Sequence, residues 1–224
     1  MKKTVLTLVA LLLFAGLAGA ETRDLSQYLA NPNFDIGFGT PQFPGSDFDS
    51  KRIDLALSAA PATAWSQPHY YAYYIKSKNA SAYPADTGDQ FAFLEENANG
   101  AAKIYQAPSV SLIAGDTYTF AFMYRKSDGA LAHGNGDLTV SVNGVSSLTI
   151  TAAEFNTATS WTKATVSYTP TANVAQGSYG VEFALAGPGY TAGWIDSIQT
   201  ASVPEPATLA LLSLGSVAML RRKK

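Results

Sequence analysis

Alternation of apolar and polar residues dominates the middle of the chain. The stretch "TYTFAFMYRKS" (Thr117–Ser127) places four aromatic side chains on one side of an extended strand. The stretch "GDLTVSVNGVSSLTI" repeats the pattern and is interrupted by Asn143-Gly144, a dipeptide that favours a two-residue hairpin turn. The pattern therefore predicts a β-hairpin whose turn lies at Asn143 and Gly144.

Several other segments have the same β-rich composition, and helical periodicity is nearly absent between them. They are Arg52–Ser58, His69–Ser77, Gln90–Glu96, Ala101–Leu112, Thr162–Pro170, Ser178–Gly187 and Gly193–Thr200. Short strands separated by turns rich in Gly, Pro, Asn and Asp are typical of β-sandwiches. We predict an all-β fold, a single antiparallel β-sandwich of jelly-roll type. The Gly- and Pro-rich segment Phe34–Asp49 is predicted to be a loop that covers one sheet edge.

The first 20 residues have the order of a secretory signal peptide. Two lysines precede an apolar stretch from Val5 to Leu17, and small residues follow at Ala18 and Ala20. We predict a signal helix at residues 1–20 with cleavage after Ala20, leaving a β-sandwich domain at residues 21–202. A buried N-terminal helix is the alternative.

The chain ends in "VPEPATLALLSLGSVAMLRRKK", a proline-containing motif, an apolar run and a cationic stop. The uncharged run Ala207–Leu220 has 14 residues, and as a helix it extends about 21 Å, short of the roughly 30 Å hydrocarbon core. We predict a short transmembrane helix. The terminal cations favour the cytoplasmic side, which places the body across the membrane. These cations are Arg221, Arg222, Lys223 and Lys224.

This tripartite tail at residues 203–224 resembles the PEP-CTERM sorting signal of Gram-negative bacteria, which membrane enzymes called exosortases process. The resemblance implies that Val203, Pro204, Glu205 and Pro206 form the recognition motif. It also implies that signal peptidase, an exosortase and the inner membrane are transient partners. The body would then be attached at the cell surface or released into the extracellular matrix, where such proteins accompany exopolysaccharide and biofilm. A plain tail anchor is the alternative.

The body carries a second series of landmarks, in the order "NPNFD", Trp65, "PADTGDQFAFL", "AGDTYTF", Trp161 and "WIDSI". This order resembles that of the galactose-binding-like jelly rolls related to carbohydrate-binding modules. The resemblance implies that Asp35 and Asp196 lie close together, where many such modules hold a structural calcium ion. Calcium takes six to eight oxygen ligands, so two acids are insufficient alone. The alternative is that Asp35 caps a turn and Asp196 accepts hydrogen bonds from a neighbouring loop.

The segment "AWSQPHYYAYYIKS" (Ala64–Ser77) is the most aromatic of the chain. On a strand, Tyr70 and Tyr74 share one face and Tyr73 lies on the other. Tyrosine and tryptophan combine an apolar ring with a polar atom, so an exposed Tyr70 and Tyr74, with Trp65, would form a platform for sugar rings. The alternative is that these aromatic side chains fill the core.

Composition limits the remaining function classes. The chain has no cysteine, so an exported domain of this sequence depends on packing rather than disulfides. Without the predicted terminal segments it keeps nine cationic and sixteen acidic residues, a net charge of −7 that argues against nucleic acid as a partner.

Catalytic chemistry has little support in the sequence. His69 and His133 have no acid or nucleophile at the spacing of a known motif. Glu95 and Glu96 would point to opposite faces of a strand, which excludes a glycosidase-like pair. We therefore predict an exported, non-enzymatic surface or matrix protein that binds polysaccharide. The alternatives are a structural or adhesive surface protein without a glycan ligand, and a calcium-containing jelly-roll enzyme of the cyclase or lyase type.

Overall fold

A computed structural model describes residues 20–34, 43–45, 48–52, 65, 72–78, 85–88, 90–96, 101–127, 136–187 and 190–201. The predicted signal helix, the predicted transmembrane helix, Asp35 and Tyr70 lie outside these residues. Within the described ranges, no helix combines the length and the apolar character needed to cross a membrane.

Two sheets account for the strands of the described residues. The strands are β1 (Thr22–Asp24), β2 (Phe43–Pro44), β3 (Phe48–Arg52), β4 (Ala72–Ser77), β5 (Gln90–Glu96), β6 (Ala102–Gln106), β7 (Thr117–Lys126), β8 (Asp137–Val142), β9 (Val145–Ile150), β10 (Thr162–Tyr168), β11 (Val181–Ala186) and β12 (Thr191–Gln199). The larger sheet has the order β1-β7-β12-β5-β4-β3-β2, with β10 also paired to β7, and the smaller has the order β6-β11-β8-β9. The predicted all-β sandwich is confirmed.

Aromatic side chains from both sheets fill the space between them. Phe183 of β11 packs against Phe120 and Phe122 of β7, with ring centroids 6.3 and 5.0 Å apart. A short helix, α1 (Ala152–Thr157), adds Phe155, whose ring lies 5.3 Å from that of Tyr124. The alternation along β7 therefore produces one buried face, as its sequence predicts.

The hairpin between β8 and β9 turns at the predicted dipeptide. Asn143 and Gly144 have φ values of 54° and 72°. Positive φ at both central residues is what a type I′ turn requires, and its twist matches that of the flanking strands. Asn143 also donates a side-chain hydrogen bond of 3.2 Å to the Tyr168 hydroxyl, which ties the turn to β10.

Other predicted boundaries need correction. The predicted loop Phe34–Asp49 contains β2 and the start of β3, and β3 ends at Arg52, where a strand was predicted to begin. Most ladders are antiparallel, but β1 pairs with β7 in parallel.

Helix α1 was not predicted from the sequence. It begins at a capping box, in which Thr151 Oγ1 accepts a 3.3 Å hydrogen bond from the Glu154 backbone N–H. The Glu154 carboxylate in return accepts a 2.8 Å hydrogen bond from the Thr151 backbone N–H. Two reciprocal bonds thus start a helix too short to show periodicity.

Candidate functional site

Trp65 lies in the core and not on the surface. Its side chain is 1% exposed, and its ring contacts those of Phe34 and Phe183 at centroid distances of 5.5 and 5.6 Å. Its indole N–H donates a 3.2 Å hydrogen bond to the Asn31 carbonyl. The prediction that Trp65 contacts a glycan is therefore wrong, because the side chain is enclosed by protein.

The two predicted tyrosine partners are only partly described. Tyr70 lies outside the described residues, and of Tyr74 the backbone is described, paired with Ala92 of β5. Ala72, which shares the predicted face of Tyr70 and Tyr74, is fully buried in the core between the sheets. The sugar platform at Tyr70 and Tyr74 stays a prediction.

The opposite face of the larger sheet carries a second apolar cluster. Phe91 of β5 and Trp194 of β12 lie at its centre, 4.6 Å apart between ring centroids, and both are fully buried. The Arg125 guanidinium lies 5.0 Å above the Trp194 ring, a cation–π contact. Partly buried Trp161 and Tyr73 pack at its margin. Because its centre is covered, this cluster is a second core and leaves only its margin accessible.

Asp196 lies at the end of that face, and its side chain holds a loop. Its Oδ2 accepts hydrogen bonds of 2.8 and 3.2 Å from the backbone N–H groups of Asp86 and Thr87. Its Oδ1 accepts a 2.7 Å bond from the Ser197 N–H, at a bulge where Ser197 has a φ of 47°. Desolvation by burial raises the pKa of Asp196 to about 7, against the lowering effect of these hydrogen bonds.

Asp196 therefore bonds to a neighbouring loop, which is the part of the alternative that the described residues show. Both carboxylate oxygens already accept backbone hydrogen bonds. Across the described ranges, no three His, Cys, Asp or Glu side chains gather into a set that could hold a metal. Asp35, the other predicted calcium ligand, lies outside those ranges, so calcium binding stays a prediction.

A polar pocket lies on the outer face of the smaller sheet. Its volume is about 220 Å³, and its walls are Tyr105 of β6, Ser141 of β8, Glu182 of β11 and the backbones of Gly144 and Gly180. Glu182 pairs with Tyr105 on one side and with Ser141 on the other, so these side chains form one row across three strands. An aromatic ring, a carboxylate and a hydroxyl therefore share one concave surface.

Two neighbouring features complete the pocket. Lys103 Nζ lies 3.1 Å from Glu182 Oε1, and each side chain is about a third exposed, at 36% and 34%. Gly180 keeps the wall open, because a Cβ there would lie 3.8 Å from Tyr105 Cδ2 and 3.4 Å from the Gln106 carbonyl oxygen. The pocket thus offers both a donor and an acceptor with little net charge. Sequence reasoning missed it because its residues come from three strands, 36 and 41 positions apart.

The C-terminal residues match a known sorting motif. Residues 202–224 match the family model of the PEP-CTERM protein-sorting motif. The match includes Val203, Pro204, Glu205, Pro206 and the terminal cations, as their sequence predicts. The chain is therefore an exported protein with a C-terminal sorting signal, and the motif implies processing by an exosortase.

Solved structures share the fold at low sequence identity. The Stig cyclase Fisc from Fischerella sp. TAU, in complex with (3Z)-3-(1-methyl-2-pyrrolidinylidene)-3H-indole, is 14% identical with a TM-score of 0.52, covering 75% of this chain and 92% of that chain. TmCBM61 in complex with β-1,4-galactotriose is 17% identical with a TM-score of 0.40, covering 77% and 95%. A family 16 carbohydrate-binding module is 13% identical with a TM-score of 0.41, covering 78% and 99%. No curated protein is similar to the chain in sequence. Carbohydrate-binding modules are thus among its structural neighbours, and the similarity concerns fold alone.

Proposed function

We propose that this protein is a component of the bacterial cell surface or extracellular matrix that binds polysaccharide without altering it chemically. The observation that carries the proposal is the PEP-CTERM motif at residues 202–224, because it directs an exported chain to an exosortase. Proteins with such signals accompany exopolysaccharide and biofilm. The pocket on the smaller sheet supports the choice of ligand.

The pocket's chemistry suits a neutral sugar. The Tyr105 ring provides an apolar surface for the C–H face of a sugar ring, and the Glu182 carboxylate accepts hydrogen bonds from hydroxyl groups. Ser141 supplies a donor, and Lys103, beside the pocket, offsets the charge of Glu182. The volume of about 220 Å³ is below the roughly 300–1,000 Å³ of pockets that enclose drug-sized ligands. We infer that the pocket takes one sugar unit, at the end or at a branch of a polysaccharide.

The sorting part of the proposal is tested in cells that contain the exosortase. Intact mass and fractionation of the wild-type protein should show loss of Arg221–Lys224 and arrival outside the inner membrane. Pro204→Ala combined with Pro206→Ala should retain the cations and stay in the inner membrane. Lys163→Gln, at an exposed position of β10 far from the motif in sequence, is the control and should be processed normally. A wild-type protein that keeps its terminal cations would support the plain tail anchor.

The binding part is tested by affinity gel electrophoresis and a glycan array. The full-length chain is purified in a polyoxyethylene detergent, because sugar-based detergents would compete for the pocket. Tyr105→Ala and Glu182→Gln should each weaken retardation by matrix polysaccharide. Tyr190→Ala is the matched control, since Tyr190 is a surface tyrosine with 61% exposure outside the pocket. If the wild-type protein binds no polysaccharide, the structural or adhesive function replaces this one.

A second candidate function is acid catalysis of the kind that a cyclase needs. Its support is Asp196, a carboxyl group whose pKa is raised by burial to about 7, together with the fold similarity to the cyclase Fisc. Against it, the Asp196 oxygens accept three backbone hydrogen bonds. Carboxyl labelling with a water-soluble carbodiimide separates the two candidates. A catalytic Asp196 must be reached by small molecules and labelled, whereas a purely structural Asp196 stays unlabelled while Glu182 reacts.

A further inference from the structure

The first strand begins one residue after Glu21, which the predicted signal cleavage would make the new N-terminus. The Glu21 backbone N–H donates a 3.1 Å hydrogen bond to Asp116 Oδ1. The Glu21 carbonyl accepts a 2.7 Å bond from the Thr117 N–H, which starts the parallel pairing of β1 with β7. Asp116 is only 8% exposed. The new N-terminus therefore lies beside a nearly buried carboxylate.

Cleavage after Ala20 changes the chemistry of this contact. Water adds across the Ala20–Glu21 peptide bond, its hydroxyl going to the Ala20 carbonyl carbon and its hydrogen to the Glu21 nitrogen. The amide, with one donor, becomes an amine that binds a further proton and carries a positive charge. We propose that Asp116 is a binding site for this α-ammonium group, and that the resulting ion pair locks β1 onto the sandwich only in the processed protein.

The surrounding charges support this assignment. Arg23 Nε lies 2.6 Å from Asp116 Oδ2, and Arg23 Nη2 lies 2.8 Å from Glu21 Oε2. Before cleavage, the two carboxylates face one guanidinium group, which leaves one negative charge in excess. After cleavage, the α-ammonium, Asp116, Arg23 and Glu21 form an alternating and neutral set. Asp24 on β1 and Tyr118 on β7 are the other titratable groups nearby, and Asp24 is bonded to Ser26 and Thr200.

The same hydrogen bonds fix the order of events. A protease binds its substrate as an accessible extended strand, whereas docked β1 already uses both the N–H and the carbonyl of Glu21. A docked Glu21 is therefore poorly accessible to the protease, and docking after cleavage uses a charge that only the cleaved chain has. The lock couples completion of the fold to signal-peptide removal.

The pH dependence follows from the ordinary pKa of an α-amino group, about 7.7–8.0. An ion pair with Asp116 raises the pKa of the amine in the folded state. Its stabilising contribution is then fully present below about pH 7.7 and is lost as the pH rises through the raised value. The pKa of Asp116 is lowered by the Glu21 N–H and by Arg23, and that of Arg23 is raised by Asp116, so both stay charged throughout this range.

The test compares two forms of the full-length chain in detergent. One begins at Glu21, as intact mass verifies, and the other keeps Gly19-Ala20 in front of it. At pH 7 the form that begins at Glu21 should have the higher urea midpoint, and the difference should vanish at pH 10 and in Asp116→Asn. Glu95→Gln, which removes a carboxylate on β5 outside this charge set, is the matched control and should keep the difference. Equal midpoints of the two forms at pH 7 would overturn the proposal.

A second measurement does not depend on a variant that folds. Reductive dimethylation with ¹³C-formaldehyde retains the charge of the α-amine, and its NMR shift reports the pKa. The α-amine of the processed protein should titrate above pH 8. A value at or below about 8.0, within or below the ordinary range, would mean that Asp116 serves Arg23 alone.

Discussion

Replacing Asp196 with asparagine should remove most of the pH dependence of stability near neutrality. Burial raises the pKa of this carboxyl group from 3.8 to about 7 in the folded protein. Between these two values the folded state holds a proton that the unfolded state releases. The stabilisation of the folded state by protonated Asp196 is thus fully present below pH 3.8. It is lost as the pH rises through 7.

The magnitude follows from the size of the shift. A shift of about three pH units corresponds to about 4 kcal/mol over the whole range, since one unit is worth about 1.4 kcal/mol. Between pH 5 and 8 the loss is about 2.5 kcal/mol, because part of the effect falls below pH 5. Asp116 and Glu154 have lowered pKa values, so their contributions are already complete in this window.

Urea unfolding of the wild-type and Asp196→Asn chains at pH 5, 6, 7 and 8, in a chelator, measures the difference. The two histidines and the N-terminus titrate in both proteins, so their effects cancel. Asparagine keeps one oxygen for the loop N–H groups of Asp86 and Thr87 and removes the charge. From pH 5 to pH 8, the free energy of unfolding of the variant should rise by about 2.5 kcal/mol relative to that of the wild type. If the free energy of unfolding changes equally with pH in both proteins, the reasoning is refuted. In a separate series without chelator, loss of the wild-type pH dependence on addition of calcium would support the predicted metal at Asp196.

Three further substitutions test the packing and the pocket. Gly193→Ala should lower the free energy of unfolding by about 1–3 kcal/mol, since its Cβ would lie 2.6 Å from the Phe155 ring. Chemical denaturation should show that adding Phe155→Leu restores part of this loss, and an unchanged stability of Gly193→Ala would contradict the packing. Gly180→Ala should weaken retardation by polysaccharide in the affinity gel at unchanged melting temperature, because its methyl group enters the pocket at ordinary contact distance from Tyr105. Unchanged retardation would mean that the sugar binds elsewhere. Thr151→Ala should cost about 1 kcal/mol of stability through loss of the helix cap, and urea unfolding that shows no change would mean that α1 depends on Phe155 alone.

Local patterns predicted the parts of the fold that depend on neighbouring residues. The hairpin at Asn143-Gly144 and the alternation along β7 are of this kind, because turn geometry and strand parity are encoded within a few positions. β5 shows the limit of such patterns. Its residues Phe91 to Leu94 are all buried, since both faces of the larger sheet are covered there. Alternation alone therefore does not tell which aromatic residues are accessible.

Features that depend on contacts between distant segments could not be predicted from local sequence patterns. The local pattern favours a surface platform for Trp65, but in the structure its ring packs against Phe34 and Phe183, which lie far before and far after it in the sequence. The pairing of β1 with β7 joins residues 95 positions apart, and a strand of three residues has too little pattern to be predicted. The sorting motif is the opposite case, because its recognition depends on a linear sequence that needs no folded partner.

The first and last described residues of the domain lie toward the same end of the sandwich as the pocket. Asp24 of β1 accepts a 2.7 Å hydrogen bond from Thr200, three positions before the sorting motif begins at Val203. Arg23 pairs with Tyr118, Tyr118 pairs with Tyr168, and the Tyr168 hydroxyl binds the hairpin whose Gly144 lines the pocket. If the predicted transmembrane helix spans the membrane before processing, this end should face the bilayer, since few residues separate it from the helix. Removal of the tail would then expose the pocket to the matrix. Polysaccharide retardation should therefore be stronger for the processed chain than for an unprocessed Pro204→Ala chain in nanodiscs, and equal retardation would mean that the tail does not shield the pocket.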